Sequence, residues 1–166
     1  MSFSTSLRRS KRLLCLAEPD KNEQKRFCTM IEQVEVVSFA YAKVNTPPES
    51  LELRFWPTDK NEIEDRMPMP TKADQEQYRG WAIAMAKRLH EAVDGVNRST
   101  PVRVNCEMGQ ARSPTIVLAW LRLYHSLHVE HLDWALNALE MHNKTLGHKQ
   151  SMKGSLERFR DLLESL

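Results

Sequence analysis

Residues 102–121 read Val-Arg-Val-Asn-Cys-Glu-Met-Gly-Gln-Ala-Arg-Ser-Pro-Thr-Ile-Val-Leu-Ala-Trp-Leu, and this stretch decides the fold. The alternation of Val102 and Val104 with polar residues is typical of a β-strand. Pro114 stands at the start of a strongly apolar run, and proline is well tolerated in the first turn of a helix because its missing N–H would have no intrahelical partner there. The pattern therefore predicts a strand, a tight loop around Gly109, and then an apolar helix.

Outside this stretch, strands are predicted early in the chain and long helices later. Short apolar or alternating runs predict strands at 13–17, 34–40 and 51–55. Apolar residues at spacings of three and four predict helices at 21–33, from Asp74 to residue 96, at 129–141 and from Met152 onward. An acidic stretch with two prolines, 60–73, predicts an exposed loop. The order of these elements predicts an α/β fold in which helices cover both faces of a central sheet.

The composition is that of an ordinary globular protein. The 166 residues suit a single domain, and the apolar share of 41% supplies its core. The formal net charge of +2 is too small to indicate nucleic acid or a membrane surface as the main partner, and no apolar run is long enough to span a bilayer. Residues 1–12 are rich in Ser and Arg, which predicts a mobile basic arm, although a mitochondrial presequence has a similar composition. Residues 13–166 form the predicted domain.

The chain has three cysteines, at positions 15, 28 and 106. Their spacing does not match a zinc-binding pattern, and three scattered cysteines do not indicate a disulfide framework. We therefore expect no metal or other cofactor, reduced thiols, and a cytoplasmic or nuclear location.

The residues best suited to catalysis lie between Cys106 and Arg112, which are separated by five residues. A loop that leads into a helix N-terminus binds phosphate, because the first backbone N–H groups of the helix have no intrahelical partner and the helix dipole favours an anion. Gly109 allows such a loop to curl around one anion, and Arg112 can hold two phosphate oxygens with its planar fork. The same positive field favours a thiolate at Cys106, which could attack phosphorus. The alternative is a buried structural cysteine near a surface arginine.

The segment Val104–Leu121 resembles the signature of the dual-specificity branch of the protein tyrosine phosphatases. Members typically read Val-His-Cys-x-x-Gly-x-Ser-Arg-Ser-Pro-Thr, followed by an apolar stretch that ends Ala-Tyr-Leu. The resemblance implies a single phosphatase-like domain with a mostly parallel central sheet flanked by helices. It also implies hydrolysis of phosphotyrosine, and of phosphoserine or phosphothreonine, in a protein or peptide substrate through a cysteinyl-phosphate intermediate. By this resemblance Cys106 is the nucleophile, Arg112 holds the phosphate, and Ser113 helps the sulfur to leave in the second step.

The loop between nucleophile and arginine is predicted to bind the substrate phosphate through its backbone. Its residues are Glu107, Met108, Gly109, Gln110 and Ala111. The chain departs from the family pattern at Asn105, where relatives have His, and this predicts a slower enzyme because Asn is never cationic. Ala111 replaces Ser or Gly with a side chain that is small enough to fit. Glu107 adds a negative charge, which would disfavour acidic phospholipid or RNA substrates if it faces the groove; the alternative is a solvated surface carboxylate.

Expulsion of the substrate oxygen needs a proton donor, which in the family is an Asp on a loop upstream of the nucleophile. The segment Trp56-Pro57-Thr58-Asp59 resembles the Trp-Pro-Asp loop of the tyrosine-specific branch with one residue inserted, so Asp59 is the first candidate. Asp74 is an alternative because the number of residues between it and Cys106 is closer to that found in the family. It could instead cap the helix beside it. Asp65 is a third candidate.

Two other functions fit the same residues. The chain could be a weak or inactive pseudophosphatase that binds phosphopeptides, since such a loop can hold phosphate without turning it over. It could also act on a phosphate ester that is not a protein, such as a phosphoinositide, although the loop contains no Lys.

Overall fold

The computed structural model describes residues 17–38, 52–54, 72–94, 101–106 and 109–166. In chain order its elements are α1 (Lys21–Ile31), β1 (Val34–Ser38), β2 (Glu52–Arg54), α2 (Lys72–Asp94), β3 (Val102–Cys106), α3 (Arg112–Tyr124), a 3-10 turn (Val129–His131), α4 (Leu132–Thr145) and α5 (Lys153–Glu164). The predicted arm at 1–12, the acidic loop at 60–71 and nearly all of the strand predicted at 13–17 lie outside the described residues.

The three described strands form one parallel sheet in the order β1-β3-β2. In its register Val36 and Leu53 both lie opposite Val104 of the central strand. Val36 and Val37 are adjacent in β1 and both fully buried. Successive side chains of a strand point to opposite faces, so both faces of the sheet are covered. The predicted α/β class, with a parallel sheet flanked by helices, is confirmed.

The helix that follows the central strand is buried on every side over most of its length. Its first ten residues, Arg112–Leu121, are all buried, and Trp120 is among the largest fully buried side chains of the protein. A helix that is apolar all round belongs in the interior rather than on the surface. Pro114 is its third residue, in the first turn as predicted, where the loss of one N–H breaks no intrahelical bond.

The edge of β1 is completed by a side chain from α4. The Oδ1 atom of Asn143 accepts a hydrogen bond from the backbone N–H of Val36 at 3.0 Å, and its Nδ2 donates to the Val36 carbonyl at 2.8 Å. Asn143 is 1% exposed. One amide therefore satisfies both backbone polar groups of Val36, which would otherwise be costly to bury.

Two helix starts differ from the sequence-based expectation. The second helix begins at Lys72, so Asp74 is its third residue and does not precede it as a capping residue would. The alternative in which Asp74 caps this helix does not fit that start. The helix predicted at 129–141 opens with a 3-10 turn, and α4 proper continues to Thr145.

Candidate anion-binding loop at the carboxyl ends of the strands

The loop singled out by the sequence joins the end of the central strand to the start of the buried helix. Parallel strands direct their carboxyl ends to one edge of a sheet, so Cys106 ends β3 at the same edge where Ser38 ends β1. Crevices at this edge are where open α/β sheets bind their ligands. The N-terminus of α3, a helix of 13 residues, opens onto the same edge, and the helix dipole favours an anion there.

The start of α3 has no capping side chain. Ala111 occupies the position before the first helical residue, and its methyl group cannot accept the hydrogen bond that Ser, Thr or Asp would accept there. The amides of the first turn are thus not covered by a cap from Ala111. An anion is the usual ligand at such a terminus.

Gly109 is required for two separate reasons. Its φ of +68° lies in the left-handed region, which strains any residue with a side chain. A Cβ at this position would also lie 3.0 Å from the carbonyl carbon of Val37 and 3.0 Å from Nε2 of Gln150. The loop therefore turns back tightly against the end of β1.

The thiol of Cys106 lies inside this turn. The backbone N–H of Gly109 donates to Sγ of Cys106 at a distance of 3.3 Å. The side chain is partly accessible, and Cys106 is a free cysteine. Its partial exposure leaves the sulfur open to a reaction partner.

Arg112 and Ser113 begin the helix on the other side of the loop. Arg112 is 5% exposed, which restricts its long side chain to few arrangements. Ser113 is fully buried, and within the part of the chain that the structure describes its Oγ has no hydrogen-bond partner. A buried hydroxyl without a partner is uncommon and costly, and it is the sort of group that a bound ligand or a reacting atom satisfies.

The first turn of α3 is braced by the first turn of α5. Thr115 donates its hydroxyl to the carbonyl of Ala111 at 2.7 Å, and its oxygen lies 2.6 Å from the hydroxyl of Ser155. Beside them, a Cβ on Gly154 would lie 3.3 Å from the Cβ of Ala111, so the two helix starts are in close contact. This packing holds the end of the loop in place from the side.

Asn105 lies directly before the thiol on β3 and is fully buried. In the parallel register it is opposite Val37 on one side and Arg54 on the other. The position at which the chain departs from the phosphatase signature is therefore an interior one, next to the base of the loop.

The structure brings part of the predicted site together. Its described members are Cys106, Gly109, Gln110, Ala111, Arg112 and Ser113. The loop residues Glu107 and Met108, and the candidate acids Asp59 and Asp65, lie outside the described residues. Asp74 lies in the first turn of α2, and its role stays a prediction. Sequence reasoning missed Gln150 and Ser155, which reach the loop from about 40 residues away and have no local pattern that could reveal them.

No family model, curated protein or solved structure matches this chain. Among the described residues, no three His, Cys, Asp or Glu side chains are arranged to hold a metal ion. Across the same ranges, the helices are too short or too polar to cross a membrane. What the site can do must therefore follow from the chemistry of its own residues.

Proposed function

We propose that the protein is a cysteine-dependent phosphatase of the dual-specificity type, with a protein tyrosine phosphatase-like fold. It hydrolyses phosphotyrosine, and phosphoserine or phosphothreonine, in protein or peptide substrates. The observation that carries the proposal is the contact between Gly109 N–H and Cys106 Sγ at 3.3 Å. It supports a nucleophilic sulfur at the base of a loop in which the Gly109 amide turns toward that sulfur.

In the first step, the thiolate of Cys106 attacks phosphorus, an S–P bond forms and the P–O bond to the substrate oxygen breaks. Arg112 holds two of the non-bridging oxygens, and the amides of 107–112 bind the same phosphoryl group. The departing oxygen takes a proton from a carboxylic acid, for which Asp59 is the first candidate and Asp74 and Asp65 the alternatives.

In the second step, water attacks the phosphocysteine and the S–P bond breaks. The carboxylate that gave up its proton takes one from the water, so that inorganic phosphate is released and the acid is restored. The buried hydroxyl of Ser113 supports this step, since among the described residues its Oγ has no hydrogen-bond partner and it can donate to the sulfur as negative charge returns to it.

The other described cysteine is a poor alternative as the nucleophile. Partial desolvation and the carboxylate of Glu32 raise the pKa of the Cys28 thiol. Cys28 lies on α1, outside the loop that leads into α3, and its thiol is therefore largely protonated near neutral pH. This contrast makes Cys28 a matched control for Cys106.

A phosphopeptide-binding module without turnover is the second candidate, and Asn105 favours it. The side chain is fully buried beside the nucleophile, where a histidine would contribute a positive charge that Asn cannot supply. The backbone cradle would still bind phosphate if the thiolate were too sparsely populated to react.

Hydrolysis of an aryl phosphate from about pH 5 to about pH 8 tests the proposal, because this range spans the titration of a catalytic acid and a thiol. Cys106→Ser should abolish turnover and Cys28→Ser should leave it unchanged. Of Asp59→Asn, Asp74→Asn and Asp65→Asn, only one should remove the part of the rate that depends on a protonated acid. Full turnover by Cys106→Ser would refute the mechanism. Phosphopeptide binding by a folded wild type that shows no turnover would establish the second candidate instead.

A further inference from the structure

The segment between α4 and α5 runs beneath the anion-binding loop. Gln150 donates its Nε2 to the carbonyl of Val36 at 3.2 Å. The same Nε2 is 3.0 Å from the place where a Cβ on Gly109 would stand. The amide of Gln150 is therefore bonded to β1 and lies close to the turn of the loop at Gly109.

Two residues before Gln150, His148 of the same segment lies against a buried ion pair, and the three side chains form a cluster. Nε2 of His148 lies 3.2 Å from Oε2 of Glu35, whose Oε1 accepts a bond from Nε of Arg103 at 2.6 Å. All three side chains are at most 12% exposed. Interactions between charged groups are stronger away from water, so the Glu35–Arg103 pair is a firmer anchor beside the segment than a surface pair would be.

The cluster joins the segment to both strands that lead to the loop. Glu35 on β1 and Arg103 on β3 lie opposite each other in the parallel register. Ser38 and Cys106 end the same two strands, also as opposite residues. The backbone N–H of His148 also bonds to the carbonyl of Asn143 at 3.1 Å, which ties the segment to the end of α4.

Two features of the described loop residues make its conformation depend on neighbouring segments. Gly109 is in a left-handed turn, and Ala111 supplies no cap to α3. A site on a loop needs support from the elements packed around it if its groups are to be held in a fixed geometry. Gln150 is a polar side chain that contacts this turn at Gly109.

We infer that Gln150 is a positioning residue for the anion-binding loop, and that the contact of His148 with the Glu35–Arg103 pair holds Gln150 in place. Gln150 keeps Gly109 against β1, so that the Gly109 N–H points at Cys106 Sγ. The inference rests on the proposed function for the identity of the anion. Gln150 acts through the loop and does not itself touch the substrate.

The test compares Gln150→Ala, Gln150→Met and Gln33→Ala with the wild type. Met has a length similar to that of Gln but cannot donate a hydrogen bond. Gln33 is a matched control because its Nε2 also donates to a backbone carbonyl, that of Thr29, on the exposed side of α1. Affinity for tungstate and for inorganic phosphate is measured by calorimetry, kcat and KM are measured with an aryl phosphate, and thermal unfolding is followed in parallel.

Gln150→Ala should weaken tungstate binding about three- to tenfold, the equivalent of one net hydrogen bond, with a similar fall in kcat/KM. Gln150→Met should show a smaller loss and Gln33→Ala none. A Gln150→Ala protein that unfolds at a lower temperature but binds tungstate like the wild type would overturn the inference, since Gln150 would then be merely structural.

A double-mutant cycle tests the role of the charge cluster. His148→Gln should weaken tungstate binding on its own, and adding it to Gln150→Ala should cost less than the sum of the two single losses because both changes release the same contact. Strict additivity would overturn the part assigned to His148. If the wild type binds tungstate without turnover, the proposed phosphatase activity is refuted, and the binding measurements still decide the role of Gln150. A folded wild type that binds no oxyanion would overturn both the proposed function and this inference.

Discussion

The hydroxyl oxygens of Thr115 and Ser155 lie 2.6 Å apart in the interior and join the first turn of α3 to the first turn of α5. The Thr115 proton is donated to the carbonyl of Ala111, so Ser155 must be the donor to Thr115. Thr115→Val would leave the buried Ser155 hydroxyl without an acceptor and take a donor from Ala111. We expect it to lower the free energy of unfolding by about 1–3 kcal/mol, measured by urea denaturation.

This prediction depends on which of the two single variants loses more unfolding free energy. Ser155→Ala leaves no buried donor without a partner, so it should cost less than Thr115→Val. The double variant should cost less than the two single losses together, because it removes both members of one buried pair. A larger loss for Ser155→Ala would mean that the direction of donation is reversed.

Gly109→Ala should destabilise the protein and weaken its oxyanion binding. The left-handed φ costs about 1–2 kcal/mol for a residue with a side chain, and the new methyl group would press on the Val37 carbonyl. A Gly147→Ala variant separates the cost of the backbone conformation from the cost of the close approach. Gly147 also has a positive φ, of +94°, but a Cβ added there would meet no atom within 4 Å. Chemical denaturation of both variants should show the larger loss for Gly109→Ala, and equal losses would mean that the close approach to β1 is unimportant.

Arg112→Lys should retain the fold and lose most of the activity. Lysine keeps the positive charge but cannot hold two phosphate oxygens in one plane, so kcat/KM should fall by about a hundredfold or more. Arg160→Lys is the control, because Arg160 forms a two-point pair with Asp133 on the surface. An Arg112→Lys protein with wild-type turnover of an aryl phosphate would exclude a two-oxygen clamp at this position.

A histidine remote from the loop makes stability depend on pH. Burial, His90 and Arg26 lower the pKa of His125 below its ordinary value of 6.5, and the nearby Asp94 only partly offsets them. The unfolded chain therefore binds a proton at His125 at a higher pH than the folded protein does. The contribution of this group to stability is complete above pH 6.5 and is lost as the pH falls through the lower, folded-state pKa.

Urea denaturation above and below that pH, with wild type and His125→Gln, measures this effect. The variant cannot take up the proton, so its loss of stability in acid should be smaller than that of the wild type. Identical pH profiles for the two proteins would show that His125 titrates alike in the folded and unfolded states.

Local features of this fold follow from local sequence patterns. Val102 and Val104 alternate with polar residues and form β3, and the run that contains Pro114 forms the buried helix. At the start of α1, Asp20 accepts a bond from the N–H of Glu23 at 2.8 Å, as expected for a residue type that commonly caps helices. In the helix predicted from Asp74, Tyr78, Met85 and Leu89 are buried, as the apolar spacing of three and four in that segment predicts.

Features that depend on register or on distant segments did not follow from the sequence. The pair of Glu35 and Arg103 exists only because β1 and β3 align in one particular register. The start of α2 at Lys72 precedes its apolar stripe, so no hydrophobic period marks it. The 3-10 turn is capped by Nδ1 of His128, which accepts from the N–H of Glu130 at 3.2 Å, and histidine is not a residue type that signals a cap. For the same reason, the contact of Gln150 with Gly109 was not foreseen.

The amide of Asn143 also bears on how the protein behaves at high concentration. A strand at the edge of a sheet normally presents free backbone groups on which a strand of another molecule can assemble. Val36 presents none, because Asn143 occupies its N–H and both Asn143 and Gln150 occupy its carbonyl. A neighbouring molecule can pair with β1 at Val36 only by displacing both side chains, so Asn143 and Gln150 oppose edge-to-edge aggregation at this position.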